Sequence, residues 1–316
     1  MQAHRMTGLP DFRTGRMRRD QGFCRPVEGV EIPFTVLEGP DAGPCLLVTA
    51  GVHGSEFCSI EAALRLSKLD PSEIRGTLLI LPILNVAGFK ARSIYVMPED
   101  GRNLNRMFPG RPDGTASERL AHWLVTSVYP KVDAYLDLHG GDLDESLVPF
   151  SLFPSGSAAS RTLASVFGLP IAVAAGGEGY TINAAGRLGI PSVLAEVGGN
   201  GLWGEAGVKQ LTDGIARVMR HLAMTTTEVA PPPQQEPEVV TMWVPTAPCD
   251  GLWYPAKDLS EPVEAGEVVG TITNVFGTVL ASVSAERTGS ILYRLTSLSV
   301  NKGEALLGVG TPVSGG

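Results

Sequence analysis

Five histidines occur in this chain of 316 residues, and two of them, His53 and His139, directly follow apolar runs rich in strand formers. Leu46-Leu47-Val48-Thr49-Ala50 leads into Gly51-Val52-His53-Gly54-Ser55-Glu56, and residues 132–138 lead into His139-Gly140-Gly141. Apolar runs of this length bounded by glycine read as buried strands. In open α/β sheets, ligands bind beyond the carboxyl ends of the strands. Two strand exits of one sheet can therefore bring His53 and His139 together. Glu56 adds a carboxylate where a helical pattern begins, with Phe57, Ile60, Ala63 and Leu64 at helical spacing. Two imidazoles and one carboxylate suit a catalytic Zn²⁺ that keeps a fourth position open. Such an ion polarises a carbonyl and lowers the pKa of water. The plain alternative for His53-x-x-Glu56 alone is a solvated histidine and a glutamate facing a helix dipole.

Other residues could complete a hydrolytic site. Residues 192–197 form a further apolar strand that carries Glu196 just before Val197-Gly198-Gly199. A glutamate at such a strand end is costly to bury without a purpose or a partner, and an arginine partner is its plain alternative. Amide hydrolysis needs a proton acceptor that later serves the leaving amine, and Glu196 is the candidate. Residues 85–112 run long without a regular pattern and contain Arg92, Arg102, Asn103, Asn105 and Arg106. Loops of that length in compact domains are usually functional, and several guanidinium groups suit a carboxylate or an oxyanion. A solvated surface loop is the alternative. The remaining histidines lack such settings: His4 lies near the N-terminus, His122 within a predicted helix, His221 near the end of another.

These residues need a scaffold. Residues 29–37 alternate as an edge strand would, 38–44 are turn chemistry, and 76–84 form a second strong strand. Strand, helix and strand of this apolar density indicate a parallel βαβ unit. Residues 117–129 predict a helix with Ser117 as cap, 147–154 and 170–175 shorter strands with a helix between them, and 204–223 an amphipathic helix. Residues 225–238, with Pro231-Pro232-Pro233, have linker composition. Short β runs with glycine turns follow, as in a small barrel or sandwich. Their glycines are spaced like the turns of a biotinyl/lipoyl-like half-barrel, but no lysine occupies a matching hairpin, and Lys302 reads as solvated. Tyr254 and Tyr293 are the aromatics of this part that could reach the site; core or rim packing is the default. The expected division is an N-terminal arm (1–26), a catalytic domain (27–224), a linker (225–238) and a β-barrel or sandwich domain (239–316).

Bulk properties narrow the function. With 43% hydrophobic and 18% charged residues the chain can build one large core and a small one. A net charge of −8 argues against a nucleic-acid binder. No run of about 18 apolar residues suggests a membrane span. The arginines at 5, 13, 16, 18 and 19 lack an apolar signal region and read as a mobile basic arm. Cys24, Cys45, Cys58 and Cys249 show no C-x-x-C spacing and are expected to be reduced, in a cytoplasmic protein.

Four stretches together, Gly51-Val52-His53-Gly54-Ser55-Glu56, 100–110 with Asn105-Arg106, Asp137-Leu138-His139-Gly140-Gly141 and Glu196-Val197-Gly198-Gly199, appear in an order that resembles the carboxypeptidase-A-like zinc hydrolases, in the aspartoacylase/succinylglutamate desuccinylase branch. The resemblance covers roughly residues 25–310. It implies one Zn²⁺ per subunit on His53, Glu56 and His139, with Glu196 as general base and then acid. It implies that Asn105 and Arg106 hold a substrate carboxylate, and that Arg92, or alternatively Arg102, stabilises the oxyanion. The implied fold is α/β, a mixed, largely parallel sheet flanked by helices, with a small C-terminal all-β domain. The implied reaction is deacylation of a small N-acyl amino acid, with the β domain narrowing access. One departure stands out: the family's acidic residue two before the Asn-Arg pair, which orients the first ligand histidine, is Asn103 here. An Asn oxygen can accept the ring N–H without charge, which alters ligand basicity. Asp137 either supports His139 or faces solvent. A metallocarboxypeptidase acting on short peptides and a non-catalytic carboxylate-binding protein are the competing readings. No nucleic-acid or membrane partner is expected, and a homo-oligomer is left open.

Overall fold

The computed structural model describes residues 4–231, 233 and 235–313. Its centre is a run of four parallel strands in the order Thr77–Leu81, Cys45–Ala50, Ala134–His139 and Ser192–Glu196. Their residues are buried almost throughout, as both-face burial in a parallel sheet requires. Phe150–Pro154 joins antiparallel to Ser192–Glu196, and Ile171–Ala175 pairs parallel to it on the far side. The helices Phe57–Leu66, Ala158–Phe167 and Glu205–His221 cover one face, and their apolar stripes bury Ile60, Leu163, Leu211 and Ile215 against Leu46, Leu136 and Val193. On the other face Leu120, Leu124, Tyr129 and Ile182 pack against Leu47, Leu79 and Tyr135.

The mixed, mostly parallel sheet flanked by helices agrees with the expected fold class. Several local expectations change. Residues 18–26 are no arm: Arg18–Val27 is a strand, antiparallel to Val30–Glu38, which is therefore not the sheet edge. Its burial pattern sinks Gly22, Cys24 and Val27, and its arginines are occupied within the chain. Arg18 lies 3.2 Å from Glu38, and Arg19 donates to the carbonyls of Lys68 and Leu69 just beyond a helix end. A basic run with internal partners of this kind carries no periodicity, which hides the strand in the sequence. Residues 85–112 are also more regular than expected, holding the helix Val86–Ala91, two short paired strands and the turn Leu104–Arg106. The helix expected from Ser117 starts at Ala116 with Thr115 as cap, where the Thr115 and Glu118 side chains form a capping box. It passes into a π-helical turn, Leu124–Val128.

The last quarter of the chain extends the central sheet as well as closing a core of its own. Glu238–Trp243 pairs parallel to Ile171–Ala175, and Leu307–Pro312, Gly289–Leu295 and Pro262–Val263 continue the same sheet. A second, four-stranded antiparallel sheet, Gly251–Pro255 among its strands, lies apart from that path. A separate apolar cluster of Trp253, Val269, Ile272, Ile291 and Val309 draws residues from both sheets. Glu145–Leu147, in the segment after His139, pairs with Gly289–Leu295 and ties this part to the catalytic face. No helix among the described residues is long and apolar enough to cross a membrane.

Candidate metal centre and active site

Backbone register sets the first element of the site. Glu196 and His139 are direct partners on neighbouring parallel strands, so both side chains leave the same face at the carboxyl end. Thr49 is partnered with Asp137 on the next strand over and shares that face. His53 comes from the turn after Cys45–Ala50. Gly51 takes that turn at φ +60°, a left-handed conformation costly for residues with a side chain. Gly54 lets it pass close to the next helix: a Cβ there would stand 2.1 Å from the Phe89 nitrogen.

His53, Glu56 and His139 converge, and one donor atom from each lies within 4.8 Å of the others. All three are buried. His53 Nδ1 is 2.6 Å from Glu56 Oε1, and His139 Nδ1 is 3.0 Å from Glu56 Oε2. The far nitrogen of each ring is held elsewhere: His53 Nε2 lies 3.1 Å from Asn103 Oδ1, and His139 Nε2 lies 3.0 Å from Asp137 Oδ2. Each ring thus turns one nitrogen to a common point and anchors the other, the arrangement that outer partners give to metal-binding imidazoles. Glu56 Oε2 is a buried carboxylate oxygen that completes no hydrogen bond, as expected of an atom built for a cation. Glu56 precedes the helix Phe57–Leu66 at its cap position yet makes no side-chain cap bond; its carboxylate turns to the imidazoles instead. The donor set fits a zinc ion.

Electrostatics follow from this packing. Burial opposes the charge on Glu56, but His139 and His53 outweigh it and hold its carboxyl down at about 2. Burial likewise opposes a charge on His139, while Glu56 and Asp137 overcome it and raise His139 well above the ordinary imidazole range. Glu196 has the opposite balance. Burial pushes its carboxyl well above the usual range, His139 pulls against this, and Glu56, Glu145 and Asp137 add to the rise. Two carboxylates of one site, pushed in opposite directions, are the pattern by which acid and base roles divide.

Asp137 faces no solvent. It is fully buried, and besides His139 it accepts 2.5 Å hydrogen bonds from Thr49 Oγ1 and Thr181 Oγ1. Asn105 is buried and accepts from the Thr181 backbone N–H at 2.9 Å, leaving its amide nitrogen as a donor without a described partner. Arg106 lies with its guanidinium 4.6 Å from the centre of the Tyr180 ring. Arg92 and Arg102 are exposed, and their side chains make no hydrogen bond or ion pair among the described residues. The structure therefore gathers His53, Glu56, His139 and Glu196, sets Asn105 and Arg106 beside Thr181 and Tyr180, and leaves Arg92 and Arg102 untethered.

Two tyrosines and a glutamate extend the site. Tyr293, from Gly289–Leu295, is set among Glu145, Arg106, Tyr180 and Glu196; burial shifts its phenol upward, Glu145, Tyr180 and Glu196 add to the rise, and Arg106 opposes it. Tyr254 is instead exposed. Tyr95 lies edge-on to His53, ring centres 5.5 Å apart, and its phenol is beside the Glu145 carboxylate. Tyr95 and Glu145 escaped the sequence reading. Glu145 follows His139 by six residues, and its place in a short segment after the Gly-Gly turn was the available signal.

Comparison with known proteins settles the lineage. The family model for the succinylglutamate desuccinylase/aspartoacylase catalytic domain matches residues 42–222, more than half of the chain. The chain belongs to this family. An N-alpha-acetyl-L-2,4-diaminobutyric acid deacetylase of Halomonas elongata is 31% identical over 294 residues, covering 88% of this chain and 84% of the relative. Among solved structures, a succinylglutamate desuccinylase/aspartoacylase of Rhodobacter sphaeroides aligns with a TM-score of 0.82 at 28% identity, covering 98% of this chain and all of the other. The product-bound ectoine utilization protein EutE of Ruegeria pomeroyi also aligns at 0.82, with 27% identity and coverage of 94% and 96%. The family's catalytic domain ends at the helix Glu205–His221, so Tyr293 reaches the site from beyond it.

Proposed function

We propose that this protein is a zinc-dependent deacylase that hydrolyses the amide bond of a small N-acyl amino acid. The observation that carries this reading is the convergence of His53, Glu56 and His139, with Glu196 registered directly beside His139. His53, Glu56 and His139 would hold the ion. When bound, zinc supplies Lewis acidity, polarising the acyl carbonyl and acidifying water.

The chain's own residues supply the rest. Glu196 takes a proton from the attacking water and returns it to the leaving nitrogen, so that the C–N bond breaks to give a carboxylate and a free amine. Its elevated affinity for protons suits the second half of that cycle. The Asn105 amide and the Arg106 guanidinium receive the substrate carboxylate. For the oxyanion we propose Arg92, with Arg102 as its alternative; both are exposed, and their side chains make no hydrogen bond or ion pair among the described residues. Tyr293, from the C-terminal sheet, stands near Arg106 and Glu196, and crowding from that side would favour small substrates over peptides.

The related Halomonas deacetylase makes N-acetylated diaminobutyrate the first substrate to assay. Wild-type protein loaded with zinc should release acetate from it, and Glu56→Gln should lose both zinc and turnover. Full turnover by Glu56→Gln, with zinc quantified in both preparations, would overturn the proposal.

A further inference from the structure

Glu145 is half-buried on Glu145–Leu147 and has no ion-pair partner among the described residues. Its backbone is fixed: its carbonyl accepts from Asn200 N at 2.9 Å, and Leu295 is its partner across the strand pair. Tyr293 stands two pairs further along, opposite Leu147, on the face that Glu145 shares. Tyr95 lies on another side, between Glu145 and the His53 ring. Neighbouring Asp142 is committed to the backbone, accepting from Tyr95 N at 2.9 Å and from Leu143 N at 2.7 Å. Glu56 faces the two imidazoles. Glu145 is thus a carboxylate without a cation, and its side chain accepts only from the Tyr95 phenol and, at 3.3 Å, from Asp142 N.

The surroundings of Tyr293 thus carry both signs of charge. Arg106 and Glu145 both act on its phenol, and Tyr95 links Glu145 to the His53 ring. Burial pushes the Glu145 carboxyl up to about 7, only partly countered by Tyr95 and the Asp142 N–H, with Glu56 and Asp142 adding to the rise. That is the condition of a carboxylate that gains when a cation arrives. A ligand with a carboxylate at one end and an ammonium at the other would satisfy both Arg106 and Glu145. A side chain ending in a carboxylate would meet like charge at Glu145.

We propose that Glu145 selects N-acyl amino acids whose side chain ends in an ammonium group. This rests on the deacylase reading and names its substrate class. The rival role for Glu145 is structural, as acceptor for the Tyr95 phenol. Glu145→Gln separates the two, because the amide oxygen keeps that acceptor and loses only the charge.

The test compares kcat/KM for N-acetyl-2,4-diaminobutyrate, for N-acetylnorvaline as its uncharged near-isostere, and for N-acetylaspartate. The wild type should prefer the first over the second by on the order of tenfold or more, with the third slowest. Glu145→Gln should bring the ratio of the first two close to one. A wild-type ratio near one, or a ratio unmoved in Glu145→Gln, would overturn the assignment while leaving the deacylase reading standing. Turnover of none of the three would overturn both. If Glu145→Gln does not fold, Glu145→Ala is measured in its place, and a ratio of the first two substrates as high as the wild type's overturns the assignment.

Discussion

The two imidazoles at the centre of this site are seated very differently. His139 ends a strand paired on both sides, and its far nitrogen meets a carboxylate acceptor, Asp137, that two hydroxyl donors, Thr49 and Thr181, and the flanking strands lock in place. His53 rides a turn outside the sheet, and its far nitrogen meets a neutral acceptor, Asn103. That Asn103 oxygen is shared with the Asn105 N–H at 2.8 Å, on a segment the sheet does not contain. One seat is thus part of the folding core. The other depends on an irregular segment that also carries Asn105 and Arg106, the residues proposed to receive the substrate carboxylate. The difference indicates where stability and metal affinity are coupled, at Asp137, and where affinity can be tuned without disturbing the core, at Asn103.

The largest departure should come from Glu56, the one carboxylate both rings share. Glu56→Gln should reduce zinc affinity by more than the roughly ten- to hundredfold typical of outer partners, with turnover falling alongside. Glu196→Gln should dissociate the two properties, keeping zinc while losing on the order of a hundredfold or more in kcat. Asp137→Asn makes the His139 seat resemble that of His53. We expect about ten- to hundredfold weaker zinc binding by competition with a chelator dye. Chemical denaturation of chelated protein should show a loss of about 1–3 kcal/mol, since two buried hydroxyls lose a charged acceptor. Unchanged stability would break the claim that this seat belongs to the core. Asn103→Asp is the reverse exchange and should have the smallest effect: zinc bound a few-fold to about tenfold more tightly, with stability nearly unaltered. Weaker zinc binding in Asn103→Asp would contradict the account of His53.

Legibility in the sequence followed the same divide. The strands that end at Ala50, His139 and Glu196 announce themselves as apolar runs, because a parallel strand buried on both faces has no room for polar residues. Metal ligands attached to such strands inherit that clarity. The hydrogen bond from the His53 ring to Asn103 Oδ1 was foreseeable only through the family resemblance, which puts a ring-orienting acceptor at that position. Asp137 was ambiguous: a carboxylate two residues before His139 faces the same way, but sequence does not reveal the Thr181 hydroxyl brought from 44 residues away. Tyr95 and Glu145 were invisible for a related reason. They meet only through tertiary packing of two irregular segments, and neither has a periodic neighbour to give it a face. Arg18–Val27 was hidden because its outward side chains are a charged run whose partners lie elsewhere in the fold.

Zinc content and turnover measured on the same preparations test the central claim most directly. Protein stripped with a chelator should be inactive towards N-acetyl-2,4-diaminobutyrate and should regain full turnover as zinc approaches one equivalent per chain, whereas Glu56→Gln treated identically should regain little. Undiminished hydrolysis by the stripped wild type, or restoration of Glu56→Gln to wild-type rates by the same single equivalent, would contradict it.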